Sequence, residues 1–130
     1  MNIRIMLVSD YEAVYDLWMS CAGMGLNDLD DSKEGISKFL QRNPETCFVA
    51  EINNRIVGSI LAGNDGRRGY IYHTAVHSKW RRQRVASQLI TTALNALKHI
   101  GIHKTALVVF TKNKDGNAFW ENEGITSATK

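Results

Sequence analysis

Apolar positions along the chain change period several times, and each change marks an element. Asn2 to Leu7 alternates, with Ile3, Ile5 and Leu7 on one side, and reads as a first strand. Ser9-x-x-Glu12 has the form of a capping box, and Val14, Leu17, Trp18 and Cys21 follow at helical spacing. Gly23 and Gly25 end that helix. After the loop from Met24 to Asp30, Asp31-x-x-Glu34 gives a second box-like start. Ile36, Phe39 and Leu40 form the apolar face of a short helix, which Asn43-Pro44 terminates.

Three strands follow, in Thr46–Ile52, Arg55–Ala62 and Tyr70–Val76. Asn53-Asn54 suits a two-residue hairpin because Asn tolerates positive φ, and Asp65-Gly66 marks the next turn. A long helix from about Arg84 to Ile100 places Ala86, Leu89, Ile90, Ala93, Leu97 and Ile100 on one face, with Gly101 as its stop. Thr105–Phe110 is a strand, apolar at every position after its threonine. A last helix over Asn117–Glu123 ends at Gly124.

The order is β-α-α-β-β-β-α-β-α. The hairpins require antiparallel neighbours, whereas the helix between the fourth and fifth strands requires a crossover and a parallel pair. The expectation is an α+β fold: a mixed, mostly antiparallel sheet flanked by helices. At 130 residues the chain fits one domain, 1–130, able to bury roughly two-thirds of its unfolded surface.

Composition changes this picture little. Hydrophobic residues at 44% and charged residues at 22% describe an ordinary globular chain rather than a disordered one. Cys21 and Cys47 match no metal-ligand spacing, so no metal is expected. Without a signal peptide or an 18-residue apolar run, the expected compartment is the cytoplasm and no membrane partner is expected. The net charge of +3 names no partner, but its distribution is uneven. Lys79, Arg81, Arg82 and Arg84 cluster, while Asp28, Asp30 and Asp31 share an early loop. Trp80 is the one aromatic residue inside the basic cluster, which argues against nucleic acid as a partner.

The stretch from Tyr70 to Leu89 is a strand, a basic turn and the start of a long helix. First-turn N–H groups lack helical partners and carry partial positive charge, so a turn that aims them outward beside arginines is an anion site. Pyrophosphate fits it.

His73-Thr-Ala-Val-His77 followed by Trp80-Arg-Arg-Gln-Arg-Val-Ala86 resembles the signature of the GNAT superfamily, a strand ending Ala-Val and then R-x-x-G-x-G/A. Asn113-x-x-x-Asn117-Ala-Phe-Trp-Glu-Asn-Glu-Gly124 resembles that family's later helix, and the element order matches from Met1 to Gly124. The resemblance implies an acyl-CoA-dependent N-acyltransferase that moves acetyl from acetyl-CoA to a primary amine by direct attack. It implies that the fourth and fifth strands splay, so that Ala75, Val76 and His77 offer backbone groups to pantetheine. The turn of Arg81, Arg82, Gln83, Arg84, Val85 and Ala86, with Ser87, would cradle the pyrophosphate. Asn113 and Asn117 would hold the pantetheine or phosphate arm, and Val76 would lie near the oxyanion donor.

Three departures bear on this. Arg84 stands where the family has glycine; in right-handed helix it costs little and could meet a phosphate, but at positive φ it burdens the cofactor site. Trp120 replaces a tyrosine that protonates the leaving thiolate in many relatives, and indole is no acid at neutral pH. The expected base positions hold Tyr72 and Tyr70, poor bases with pKa about 10. His73 is adjacent but faces the other way unless a bulge intervenes. His73 and Tyr72 are the catalytic candidates, and the aspartates of the early loop are candidate attractors of a cationic amine. A non-catalytic acyl-CoA-binding module is the alternative reading.

Relatives usually add two strands after the glycine-ended helix, whereas Ile125 to Lys130 allows one short strand at most. The final strands are thus expected to be missing. The apolar edge Ala106–Phe110 is expected to be covered either by a homodimer or by the tail folding back along it.

Overall fold

The computed structural model describes residues 1–21, 24–109 and 126–129. Six strands lie side by side in chain order: β1 (Asn2–Ile5), β2 (Phe48–Ile52), β3 (Arg55–Asn64), β4 (Arg68–Val76), β5 (Lys104–Val109) and β6 (Thr126–Thr129). The first four pair antiparallel, and β4–β5 and β5–β6 pair parallel. Helix α3 (Val85–His99) is the crossover between β4 and β5, while α1 (Tyr11–Met19) and α2 (Lys33–Arg42) join β1 to β2. The expected mixed, mostly antiparallel sheet is present.

Each face of the sheet carries its own core. On one, Val85, Leu89, Ile90, Ala93 and Leu97 of α3 pack on Val57, Ile60, Ala62, Ile71, Val76 and Leu107. Gly58 permits this approach, since a Cβ there would come within 2.9 Å of Val85 and 3.0 Å of Leu89. On the other face, Val14, Leu17 and Trp18 of α1 and Ile36 and Leu40 of α2 cover Val49, Leu61 and Ala75.

Local rules set most boundaries. Asn53 and Asn54 both take positive φ (53° and 63°) in the β2–β3 turn. Helix α3 ends in a Schellman arrangement: Ile102 N–H donates to Leu97 O (2.9 Å), Gly101 N–H donates to Lys98 O (3.0 Å), and Gly101 has φ 91°. Ile102 is buried while Ile100, expected on the apolar face, is 42% exposed. The Schellman turn carries the chain inward one residue pair beyond the expected contact.

Both expected capping boxes are replaced. At the first helix the acceptor is Asp10, whose Oδ2 accepts the Leu7 N–H at 2.8 Å, and a 3-10 turn over Val8–Asp10 precedes α1. At the second it is Ser32, whose Oγ accepts the Gly35 N–H at 3.0 Å. Asp31 is thereby left for a different contact. The predicted helix Asn117–Glu123 lies outside the described residues. Beyond it β6 runs along Ala106, Leu107, Val108 and Val109, so the tail takes the course of folding back on that edge.

Candidate active site

The β4–β5 ladder stops early. Its pairs run from Arg68↔Lys104 to Ile71↔Leu107, and past Ile71 β4 has no strand partner on that side among the described residues. At the same place β4 bulges: Leu61 faces His73 and Ala62 faces Ile71, which leaves Tyr72 as the extra residue. The bulge resets the alternation. Tyr72 packs on the α1/α2 core, and His73 lies on that face too, its ring edge-on to Trp18 with centroids 5.0 Å apart.

The phase of the β3–β4 ladder tells which backbone groups face the gap. His77 N–H donates to Val57 O at 2.8 Å, and antiparallel pairs alternate. His77, Ala75 and His73 therefore turn their backbone toward β3, whereas Thr74 and Val76 turn theirs toward the edge that β5 leaves. Of the three strand residues expected to serve pantetheine, Val76 turns its backbone to this open edge, and Ala75 and His77 turn theirs to β3. Thr74, which the sequence did not single out, joins Val76. Its Oγ1 is buried and has no hydrogen-bond partner among the described residues.

Beyond Val76 comes a 3-10 turn, Ser78–Trp80, with His77 Nδ1 accepting the Lys79 N–H (3.2 Å) and Trp80 packed against the α3-side core. Arg82 and Arg84 both have φ 65°, and Arg84 (ψ 15°) is the N-cap of α3. This is the positive-φ form in which an arginine burdens the turn, with a cost of about 1–2 kcal/mol for a residue bearing a Cβ. The first helical bond runs from Gln88 N–H to Arg84 O (3.0 Å), so the N–H groups of Val85, Ala86 and Ser87 precede it. No acidic residue occupies this first turn, and Arg81, Arg82, Gln83 and Arg84 are exposed around it. Arg81 reaches back toward Val76, its Nε 3.3 Å from the Val76 carbonyl oxygen. The backbone edge of Val76 and the anion-favouring end of α3 are thus parts of one surface.

On the α1/α2 side, His73 Nε2 lies 2.6 Å from Asp31 Oδ1 and Nδ1 lies 3.1 Å from the Tyr72 carbonyl oxygen. Trp18 Nε1 donates to Ser59 Oγ at 3.1 Å. Cys21 Sγ stands 3.7 Å from the Val76 carbonyl oxygen. Tyr72 meets Phe39 edge-on, and burial pushes its phenol above the ordinary tyrosine value. Asp28 and Asp30 stay exposed at the loop surface, apart from Asp31. Asn113, Asn117 and Trp120 lie outside the described residues. A separate depression lined by Arg42, Asn43, Thr46 and Asn64 sits by the opposite end of β4. Among the described residues no group of three or more His, Cys, Asp or Glu is placed to hold a metal, and no helix is long and apolar enough to cross a membrane.

A sequence model of the acetyltransferase (GNAT) family matches residues 11–124. The chain is similar to an acetyltransferase of Pectobacterium atrosepticum, 37% identical over 113 residues that make up 87% of this chain and 79% of the relative. In structure it is similar to Ard1 from Thermoplasma volcanium, with a TM-score of 0.84 and 22% identity over 95% of this chain and 80% of that one. It is also similar to a diaminobutyrate acetyltransferase from Paenibacillus lautus, solved with its substrate and coenzyme A. There the TM-score is 0.77 and the identity 24%, over 94% of this chain and 73% of that one. With its splayed strands, basic turn and this sequence match, the chain belongs to the GNAT family of acyl-CoA-dependent N-acyltransferases.

Proposed function

We propose that the 130 residues act as one cytoplasmic domain that transfers acetyl from acetyl-CoA to a primary amine by direct attack. The observation that carries this is the coincidence of the strand splay past Ile71 with the acid-free N-terminus of α3. Acetyl-CoA, when bound, supplies the acetyl thioester. First-turn N–H groups of Val85, Ala86 and Ser87 suit its pyrophosphate, with charge from Arg81 and Arg82. Ala86 presents the small side chain that such an approach needs. Backbone groups of Val76 and Thr74 and the orphan Thr74 hydroxyl suit the amide-rich pantetheine arm.

Val76 N–H is the donor assigned to the thioester oxygen as charge develops there. The amine nitrogen bonds to the carbonyl carbon, the C–S bond breaks and CoA leaves as thiolate. The ammonium form of the acceptor gives up two protons along the way, one of which ends on the thiol and the other in solvent. Tyr72 is set aside as the base, because burial pushes its phenol further from neutral pH. Proton handling is assigned to His73, which the bulge turns to the same face. Asn113 and Asn117 keep the roles that the family pattern implies, and Trp120, whose indole is no acid, is assigned to cofactor binding alone. A homodimer built on the β5 edge is not part of this reading, since β6 occupies that edge. The alternative of a non-catalytic binding module finds no support among the relatives named above.

The test is steady-state release of CoA thiol from acetyl-CoA against spermidine, glucosamine, an aminoglycoside and a peptide with a free N-terminus. Amine-dependent release is expected with one class, and its absence across all four counts against the reading. Calorimetry with CoA tests the site itself. Ala86→Glu puts bulk and negative charge against the pyrophosphate, so equal affinity in wild type and variant removes the assignment.

A further inference from the structure

The two ends of α2 carry surfaces of opposite character. Before the helix, residues 27–32 form a turn closed on itself. Asn27 Oδ1 accepts the N–H groups of Leu29 (2.8 Å) and Asp30 (3.0 Å), Asp31 N–H donates to Asn27 O (2.9 Å), and Ser32 Oγ donates to Leu29 O (2.8 Å). Gly35 lets the turn sit down on α2, since a Cβ there would come 2.4 Å from Leu29 O and 2.5 Å from Asp30 O. These contacts fix Leu29 at the tip. Its side chain is nevertheless 82% exposed, more than any other large apolar residue among those described. Asp28 and Asp30 flank it in solvent, and Glu34 is exposed in the first turn of α2. Lys33 does not offset them, because it is paired with Glu12 at 2.7 Å. The turn therefore holds out a preorganised apolar tip set between carboxylates.

Past the other end of α2 lies the depression by the start of β4, about 250 Å³ in volume, with Arg42, Pro44, Glu45 and Ile100 among its lining residues. Ile100 is 42% exposed there, and Arg42 Nη2 donates to the Asn64 carbonyl oxygen at 3.4 Å, which holds the guanidinium at the rim. Further cations surround it. Arg67 and Arg68 of the β3–β4 turn, Lys98 of α3 and Lys104 of β5 are all exposed, and Arg68 and Lys104 are register partners. The acids at this end are Glu45 and Asp65, and Asp65 Oδ1 already accepts the N–H groups of Arg67 (2.9 Å) and Arg68 (2.8 Å). An apolar hollow with a cationic rim is the complement of an apolar tip between carboxylates. The ten residues of α2 keep the two about 15 Å apart, so they cannot meet within one molecule.

We propose that the 27–32 turn of one copy docks in the depression of a second copy. Leu29 packs on Ile100 and Pro44, and Asp28 and Asp30 meet Arg42 and the cations of the rim. Each copy brings one tip and one depression, so the contact joins unlike surfaces. A single turn buries less than a standard interface, and its charges are exposed, so the association is weak and sensitive to salt. It uses neither edge of the sheet and goes beyond the acetyltransferase reading, whose failure would leave it standing.

Sedimentation velocity of the full chain, over a wide concentration series at low and high salt, is the test. Wild-type mass should rise with concentration at low salt and fall back to the monomer at high salt. Leu29→Ser disarms the tip and Arg42→Glu the depression, with Ile100→Ser as a second depression variant and melting temperature as the check on each fold. Each substitution alone should weaken association about tenfold or more. Mixed in equal amounts, Leu29→Ser and Arg42→Glu should associate more tightly than either does alone, because the first keeps an intact depression and the second an intact tip. A wild type that stays monomeric at every concentration overturns the proposal. So does wild-type association in a folded tip or depression variant, or a mixture that associates no better than its parts.

Discussion

The thiol of Cys21 lies 3.7 Å from the Val76 carbonyl oxygen, and Arg81 Nη2 lies 3.9 Å from the same sulfur. Three segments, the end of α1, the end of β4 and the basic turn, therefore meet at one half-buried cysteine. The second cysteine behaves oppositely. Cys47 is 1% exposed, and burial pushes its thiol up to about 12. A native-state thiol reagent should consequently label Cys21 alone, with Cys47 reacting only on unfolding. Saturating CoA should slow the Cys21 reaction, because its proposed pantetheine path runs past Val76. Peptide mapping of the labelled protein with and without CoA checks both points, and undiminished labelling under CoA counts against placing the arm there.

Thr74 gives a prediction whose two effects have opposite signs. A buried hydroxyl without a partner costs about 1–3 kcal/mol. Thr74→Val removes that cost at similar volume, so the free protein should gain about 1 kcal/mol in urea unfolding. If pantetheine supplies the missing partner, the same variant should weaken CoA binding by about two- to tenfold, the worth of one neutral hydrogen bond. Stability and affinity moving together would break the link between the orphan and the ligand.

Arg84 tests the family's glycine directly. Its φ of 65° and ψ of 15° fall in the left-handed region that glycine enters freely. Arg84→Gly should stabilise the free protein by about 1 kcal/mol, since it relieves that strain. It should bind CoA at least as tightly, because the turn already has the shape that places the first N–H groups of α3. A lower melting temperature for this variant would mean that the arginine side chain makes compensating contacts.

How far the sequence could be read depended on how local each determinant was. The hairpin at Asn53-Asn54 and the stop at Gly101 are written in single residues whose φ preference decides the geometry. The basic turn was legible because Arg81 to Ala86 carries its chemistry within six positions. The bulge was not, because strict alternation gives no place for an extra residue. A trace of it exists: Ile71 and Val76 share the α3-side core although an odd spacing separates them. The Asp31–His73 contact spans 42 residues and needs both the bulge and the Ser32 cap, which frees Asp31 from helix capping. Neither condition shows in a pattern. Thr74 was invisible for a simpler reason: no pattern shows that its buried Oγ1 has no partner among the described residues.

The pair between Arg4 and Asp10 gives the last prediction, for stability against pH. Arg4 Nη1 and Nη2 donate to Asp10 Oδ2 and Oδ1, each at 2.8 Å, and Leu7 N–H donates to Oδ2 at the same distance. Arg4 also reaches Glu51 on β2, with Nε 2.6 Å from Oε1, so the pair ties the first strand and the entry of α1 to the sheet. The Arg4 guanidinium, against some opposition from burial, holds the Asp10 carboxyl below its ordinary value of 3.8. A carboxylate depressed in the folded state binds protons more readily once unfolded. Its stabilisation is therefore complete above the ordinary value and is lost as pH falls through the lower, folded one. Asp10→Asn should cost about 1–2 kcal/mol at neutral pH, the range for hydrogen bonds to a charged group discounted for partial exposure of Arg4. That gap should hold from pH 8 to about pH 5 and close below about pH 4. Urea unfolding of both proteins across this range measures it. Glu12→Gln serves as the control: its partner Lys33 is 56% exposed and Glu12 itself 66% exposed, so no measurable change is expected. A gap that persists undiminished to pH 2 would show that Asp10 acts through shape rather than charge.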